Sequence, residues 1–278
     1  MRSRPSFDKI ISFQGFKLNY RKIGTGQPVI LLHGSVTSNP WLGFEEKLAQ
    51  IYSVYLPELP GFGASEAITG RRHNISLFSE ALATFISSNQ LEMVPIIAFS
   101  LGTVVALQTA ANRQTGGRLI LVGMPGKLSG WKYRITQILP LGIKRKLANV
   151  HWVQKHIILP ILSENLDPVN KSPDSKEALH ALSSTDPRAI VDIDVKREIE
   201  ESLPTLFGKI ENPMDFIYGQ NDKLQNTTTQ FITLPTIIPN VSHNVFATNP
   251  DFTLNVIQKM LANSYRFILA QSVKTLYN

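Results

Sequence analysis

Cysteine is absent from all 278 residues, which excludes disulfides, thiol nucleophiles and thiolate metal sites. Long uninterrupted apolar runs are missing too. The opening M-R-S-R-P-S-F-D-K-I-I-S-F is basic but lacks the continuous apolar core of a signal peptide, and no later stretch is long enough for a membrane span. A cytoplasmic protein is therefore expected. Acidic residues are missing from one region in particular. From Lys127 to Pro160 there are seven Lys/Arg and no Asp or Glu, which by itself equals the formal net charge of +7 for the whole chain. No nucleic-acid reading module accompanies those cations, so nucleic acid is not an expected partner. The remaining composition is that of a folded globular protein. The length suits one large α/β domain with an insertion, or two small domains.

Along the chain, Lys9 to Phe13 and Phe16 to Lys22 alternate apolar and polar residues around Gly15, which predicts an antiparallel hairpin. Short apolar runs then recur between helical segments: Pro28 to Leu32, Ser53 to Leu56, Val94 to Phe99, Arg118 to Val122, Pro213 to Tyr218 and Thr236 to Val241. Runs of this kind predict buried strands, and their alternation with helices predicts a mostly parallel sheet flanked by helices. Helices are expected over Phe44 to Ile51, over Ser76 to Ser88 with an approximate capping box from Ser76 and Ser79-Glu80, over Leu101 to Ala111, and from Asp251 to Leu261 or beyond. Residues 127–212 break the pattern. Apolar spacing there is helical and prolines punctuate it, so a helical cap is expected between core segments 1–126 and 213–278.

The sharpest feature is the turn Ala98-Phe99-Ser100-Leu101-Gly102, one residue away from G-x-S-x-G. In that motif small residues let a strand and a helix approach at a strained turn that lifts the serine hydroxyl out of the packed layers. A plain alternative is that Ser100 only caps the helix. Two more polar residues follow predicted strand ends, Asp222 after Pro213 to Tyr218 and His243 after Thr236 to Val241. Parallel strands deliver their carboxyl ends to one edge of the sheet, so Ser100, Asp222 and His243 can converge there. Nucleophile, base and orienting acid are the three roles that acyl transfer requires. Backbone N–H groups of Leu101 and of Ser35 or Val36 are placed by the same topology to serve an oxyanion.

Five motifs occur in order: L-L-H-G-S at 31–35, L-P-G-F-G-A-S at 59–65, A-F-S-L-G at 98–102, G-Q-N-D at 219–222, and S-H-N-V-F from Ser242 with Asn249-Pro250 behind it. Over nearly its whole length the chain resembles the α/β-hydrolase superfamily. The resemblance implies Ser100 as nucleophile, His243 as base, Asp222 as acid and 127–212 as a cap. It also implies that His33 and Gly34 support the oxyanion turn without transferring protons, and that no cofactor is needed. Three residues depart from the usual pattern: Ala98 for the first glycine of the elbow, Glu58 for Asp in the 59–65 turn, and Ser242 for Gly before the histidine.

Asp215 competes for the acid role, but it falls inside a predicted strand, and Asp222 is preferred. Asp251 reads as a residue at a helix start. His73, His151, His156 and His180 have no ligand-like spacing, so no metal is expected. A serine nucleophile argues against dehalogenation and epoxide opening, and neither H-G-G-P-G nor H-G-S-G-P-G is present. Hydrolysis of a carboxylic ester is expected, the substrate being a small molecule, lipid-like or a thioester. The alternatives are a C–C hydrolase or perhydrolase, or a ligand-binding protein that retains the triad without using it. The acid-free basic stretch is either a solvated helix face or, with Leu, Ile, Val and Trp interleaved among the cations, a surface that rests on an anionic membrane. Oligomeric state is not encoded in any pattern.

Overall fold

The computed structural model describes residues 8–35, 38–126, 139–150, 153, 185–224 and 234–262. Eight strands form one sheet: β1 (Asp8–Phe13), β2 (Phe16–Ile23), β3 (Gln27–Leu32), β4 (Tyr52–Pro57), β5 (Ile96–Phe99), β6 (Leu119–Val122), β7 (Met214–Gly219) and β8 (Thr236–Ile238). Their order is β1-β2-β4-β3-β5-β6-β7-β8. The pairs β1/β2 and β2/β4 are antiparallel, and every pair from β4/β3 to β7/β8 is parallel. The doubly wound α/β architecture expected from the alternation is present.

The central strands read as unbroken apolar runs because both faces of the sheet are covered. In β6, Leu119 and Leu121 join one buried cluster while Ile120 and Val122 join the other. In β5, Ile96 and Ala98 alternate with Ile97 and Phe99 in the same way. Helices α2 (Ile75–Ser88) and α3 (Leu101–Ala111) cover the first face. The second is covered by Trp41, by Phe44 and Leu48 of α1 (Phe44–Leu48), by Phe246, and by Ile257 and Leu261 of the helix over 250–262.

Several boundaries differ from expectation. Helix α2 starts one residue earlier than Ser76 because Asn74 is its cap, its side chain accepting from the Leu77 N–H at 2.9 Å. The Ser76-based capping box is therefore not the start signal. Helix α1 ends at Leu48 rather than Ile51, since the turn into β4 takes up the next three residues. Strands β5 and β8 are likewise shorter than their apolar runs.

Within 127–212, residues 127–138, 151–152 and 154–184 lie outside the described residues, and with them Lys127, Lys132, Arg134, His151, Lys155, His156 and His180. What is described there is helical: α4 (Leu141–Ala148), α5 (Arg188–Val191), a π-helical turn (Lys196–Glu200) and α6 (Leu203–Phe207). A buried charge cluster joins these helices to the core. Asp192, fully buried, accepts from both Nε and Nη2 of Arg145 at 2.7 and 2.6 Å and from the His73 N–H at 3.0 Å. Its own carbonyl takes Arg72 Nε at 2.6 Å. Glu198 adds a second tie, accepting from the first N–H of α2, that of Ile75, at 2.9 Å and pairing with Arg72 at 3.3 Å. Among the described residues, no helix is long and apolar enough to cross a membrane.

Losing the acceptor at Asp192 strands a guanidinium and a buried backbone donor, and the penalty is moderated because Arg145 keeps 37% of its side-chain surface exposed. Asp192→Ala is expected to lower unfolding stability by about 2 kcal/mol and Asp192→Asn by less. Urea unfolding followed by far-UV circular dichroism checks this, and unchanged midpoints would mean that these helices are held by other contacts.

Candidate active site

The chain turns back across the sheet between β3 and β5. Strand β4 lies to one side of β3, and β5 to β8 lie to the other. This is the switch point of the sheet, where the loops leaving the carboxyl ends of β3 and β5 open a crevice. His33-Gly34-Ser35 leaves one strand and Ser100 leaves the other.

Ser100 sits at φ 50°, ψ −120°, a backbone conformation unusual for a residue with a side chain. Its hydroxyl makes no helix-capping bond, which removes the plain N-cap reading. Packing enforces the turn. A Cβ placed on Gly102 would stand 2.4 Å from the His33 carbonyl oxygen, and one on Gly34 would stand 3.0 Å from the Ser100 Cβ. Only glycines allow β3, the elbow and α3 to come this close. Ala98, in contrast, is accommodated: it pairs with Leu32 and Leu121 in the sheet and its methyl is fully buried in the core.

The three expected polar residues meet at this edge. His243 Nε2 lies 3.0 Å from Ser100 Oγ, and His243 Nδ1 lies 2.9 Å from Asp222 Oδ2. A carboxylate oxygen only accepts, so Nδ1 carries the proton and Nε2 is free to accept from the serine hydroxyl. The other carboxylate oxygen of Asp222 accepts from the Leu224 N–H at 2.8 Å, which fixes the carboxylate plane. The imidazole is fully buried, with Ser100 and Asp222 8% and 7% exposed. It lies against the Phe99 ring at 5.1 Å between centroids, and Phe99 packs in turn on Phe246. A Cβ on Gly219 would fall 2.0 Å from the Ser242 carbonyl oxygen, so β7 can approach the histidine loop only with glycine there.

Asp215 takes no part. It is held in β7 by Arg118 at 2.6 Å. Asp251 lies in the first turn of the helix over 250–262 and pairs with Lys47. Glu58 folds back into its own turn, its carboxylate accepting from the Ala64 N–H at 2.7 Å.

His33 has both ring nitrogens engaged. Nε2 accepts from the Leu59 N–H at 3.0 Å, so the proton is on Nδ1, which donates to the Gly34 carbonyl at 2.7 Å. Burial lowers its pKa to about 4. A neutral imidazole with no free lone pair ties the turn after β3 to the 59–65 turn. Leu101 is the first residue of α3, so its N–H has no partner within the helix. Ser35, two residues beyond His33, is half-buried, whereas Val36 lies outside the described residues. Sequence reading missed Asn244, whose side-chain amide donates to the Pro40 carbonyl at 3.0 Å and joins the histidine loop to the segment after β3. It also missed Gly219 and Asp192. Gly219 opens a motif that was quoted for its aspartate, while Asp192 has no local sequence signal.

Among the described residues, no group of three or more His, Asp or Glu side chains is arranged to share a metal ion. A groove of about 1050 Å³ bordered by Phe13, Glu92, Gly116 and Pro213 contains none of the three triad residues and lies toward the amino-terminal edge of the sheet.

Sheet order and elbow together are those of the α/β-hydrolase fold. Residues 27–126 match the family model described as alpha/beta hydrolase fold. An uncharacterized protein of Mycobacterium tuberculosis is 33% identical over 114 residues, a match spanning 40% of this chain and 33% of that protein. The chain thus spans about a third of the length of the curated relatives it matches at that identity. A pimeloyl-[acyl-carrier protein] methyl ester esterase of Pseudoalteromonas atlantica is 23% identical over 260 residues, covering 88% of this chain and 98% of that enzyme. A thermophilic esterase from Thermogutta terrifontis superposes with a TM-score of 0.74 at 19% identity, covering 93% of this chain and 99% of the other.

The lowered pKa of His33 has a pH consequence with a definite sign. An unfolded-chain histidine titrates near 6.5, and the folded one titrates at about 4. Between those values the unfolded chain binds a proton that the folded chain refuses. The stabilisation is therefore complete above about pH 6.5 and lost as pH falls toward 4, amounting to about 3 kcal/mol. Urea unfolding of wild type and His33→Gln at intervals from neutral to mildly acidic pH measures the difference. The variant should lose less stability across this window, and parallel curves would contradict the assignment.

Proposed function

We propose that the chain is a serine hydrolase that cleaves a carboxylic ester through an acyl-enzyme on Ser100. The observation that carries this reading is the continuous hydrogen-bonded chain from Asp222 through His243 to Ser100, at 2.9 and 3.0 Å, ending at a strained serine at the sheet's switch point. His243 takes the hydroxyl proton as Ser100 Oγ attacks the substrate carbonyl, and Asp222 steadies the imidazolium that forms. The tetrahedral oxyanion lies against the backbone N–H groups of Leu101 and Ser35. Collapse of that intermediate breaks the ester bond, and His243 returns the proton to the leaving alcohol. Water, deprotonated by the same imidazole, then releases the acid and frees Ser100.

The similarity to a methyl ester esterase over most of both chains, and to an esterase by fold, supports ester over amide or carbon–carbon bonds. His33 stays outside proton transfer in this scheme because both its nitrogens are occupied. The acyl group is lipid-like or carried as a thioester or simple ester, entering beneath the 127–212 cap.

A fluorophosphonate probe should label the wild-type protein on Ser100 and fail to label Ser100→Ala. Asp222→Asn should lower kcat by about 10⁴-fold by favouring the wrong imidazole tautomer, while Asp215→Asn changes it little. Equal labelling of Ser100→Ala, or the reverse ranking of the two aspartates, would overturn the assignment. Rates on p-nitrophenyl esters of increasing chain length measure activity and acyl preference together.

A further inference from the structure

The carboxyl end of β6 reaches the surroundings of all three triad residues. The Val122 carbonyl accepts from the Ser100 N–H at 2.9 Å, so the last residue of the strand holds the backbone of the elbow. Further along, the Gly126 N–H donates to the Leu224 carbonyl at 2.8 Å, and Leu224 is the residue whose own N–H binds the Asp222 carboxylate. Between these two ties lies Gly123, whose N–H donates to the Ile217 carbonyl of β7 at 2.8 Å. Gly123 meets the base itself. It sits at φ 59°, and a Cβ built there would stand 3.0 Å from His243 Cε1, 3.2 Å from His243 Nδ1 and 3.4 Å from the His243 carbonyl oxygen. The space in which any other side chain would begin is thus taken by the imidazole edge that carries Nδ1. That ring has little room to give way, because Ser100 and Asp222 hold its two nitrogens and Phe99 packs on it.

We propose that Gly123 is a positioning residue, its bare Cα being the seat against which the imidazole of His243 is aligned between Ser100 Oγ and Asp222 Oδ2. The kinetic consequence rests on the serine-hydrolase reading, whereas the seat is a property of the folded triad. Gly219 differs in kind. Its missing Cβ makes room for the backbone of the histidine loop, while that of Gly123 makes room for the reacting ring. A methyl group at 123 pushes the ring off the line that joins nucleophile and acid. The loss falls on the geometry of proton transfer and so on the rate of the chemical step, not on substrate affinity.

The test compares Gly123→Ala with Gly15→Ala in the full chain. Gly15 also has a positive φ, 86°, but nothing lies within 4 Å of a Cβ added there, so its variant carries the backbone strain of a left-handed alanine without the contact. On p-nitrophenyl esters Gly123→Ala should lower kcat at least about tenfold with KM little changed, and fluorophosphonate labelling of Ser100 should slow by a similar factor. Gly15→Ala should leave both unchanged. In proton NMR spectra the low-field resonance of the His243 Nδ1–H should shift or broaden in Gly123→Ala and stay in place in Gly15→Ala. If Gly123→Ala does not fold, Gly123→Asn decides, because asparagine tolerates a positive φ while still bringing a Cβ; it should fold and show the same loss of rate and the same displaced resonance. Unchanged kcat and resonance in a folded Gly123 variant would overturn the proposal. So would failure of both variants to fold, which would make the glycine a requirement of the chain and not of the imidazole. A wild-type protein that neither labels nor hydrolyses esters, with the resonance still displaced by Gly123→Ala, would sink the hydrolase reading and leave the seat standing.

Discussion

The close approach of β3, the Ser100 turn and the start of α3 governs the rest of the molecule. With the Gly102 position 2.4 Å from a β3-end carbonyl for any added Cβ, the chain has no room to leave β5 in a relaxed conformation. Ser100 therefore takes φ 50°, and its side chain is directed out of the layers instead of along the helix axis. Strain of this kind persists only where the surroundings over-determine it. Here they do so through fully buried β-strand residues on either side and an α3 that is buried almost all round. The direction of the hydroxyl, toward His243 Nε2, is a by-product of core packing.

The same logic accounts for what could be read in the sequence. The continuous apolar runs of β5 and β6 fit only strands covered on both faces, and the alternation of Ile120 and Val122 against Leu119 and Leu121 between two cores is the physical form of that signal. Ser100, Asp222 and His243 were legible because each follows a strand end, and parallel strands share one edge. Asn74 was not legible as a cap, because Ser76 and Glu80 offered a similar local pattern two residues later and the choice depended on where the chain enters from the His73 segment. Asp192 and Asn244 were not legible at all. Their partners, Arg145 and Pro40, are 47 and 204 residues away in sequence, and a single polar residue carries no periodicity that points to so distant a contact.

The basic stretch shows how a charge count misleads when positions are unknown. Seven cations in sequence suggested a uniformly solvated or membrane-facing surface. Arg145, however, is spent inward on a buried carboxylate, and Lys144 is half-buried, with burial pulling its amine pKa below the ordinary lysine range. On the outward side of α4, Ile143 and Leu147 stand exposed beside Lys146. The Arg145–Asp192 ion pair helps to hold this helix, alongside buried Ala148 and half-buried Leu141.

A short relay of contacts connects that attachment to the crevice. The Asp186 N–H donates to the Gly61 carbonyl at 2.7 Å, and Gly61 is close enough to Ala189 that an added Cβ would meet it at 3.2 Å. Two residues earlier, Leu59 donates to His33, and His33 donates to the Gly34 carbonyl beside Ser100. The segment containing Asp186 and Ala189 thus rests on the 59–65 turn, which in turn fixes the backbone after β3. Because the imidazole at the centre of this relay is buried and neutral, its two bonds are not weakened by competition with water. Displacement of the segment around Asp186 would reach the turn after β3 through these hydrogen bonds and the Gly61 contact. The backbone after β3 is therefore positioned jointly by the sheet and by the segment containing Asp186 and Ala189.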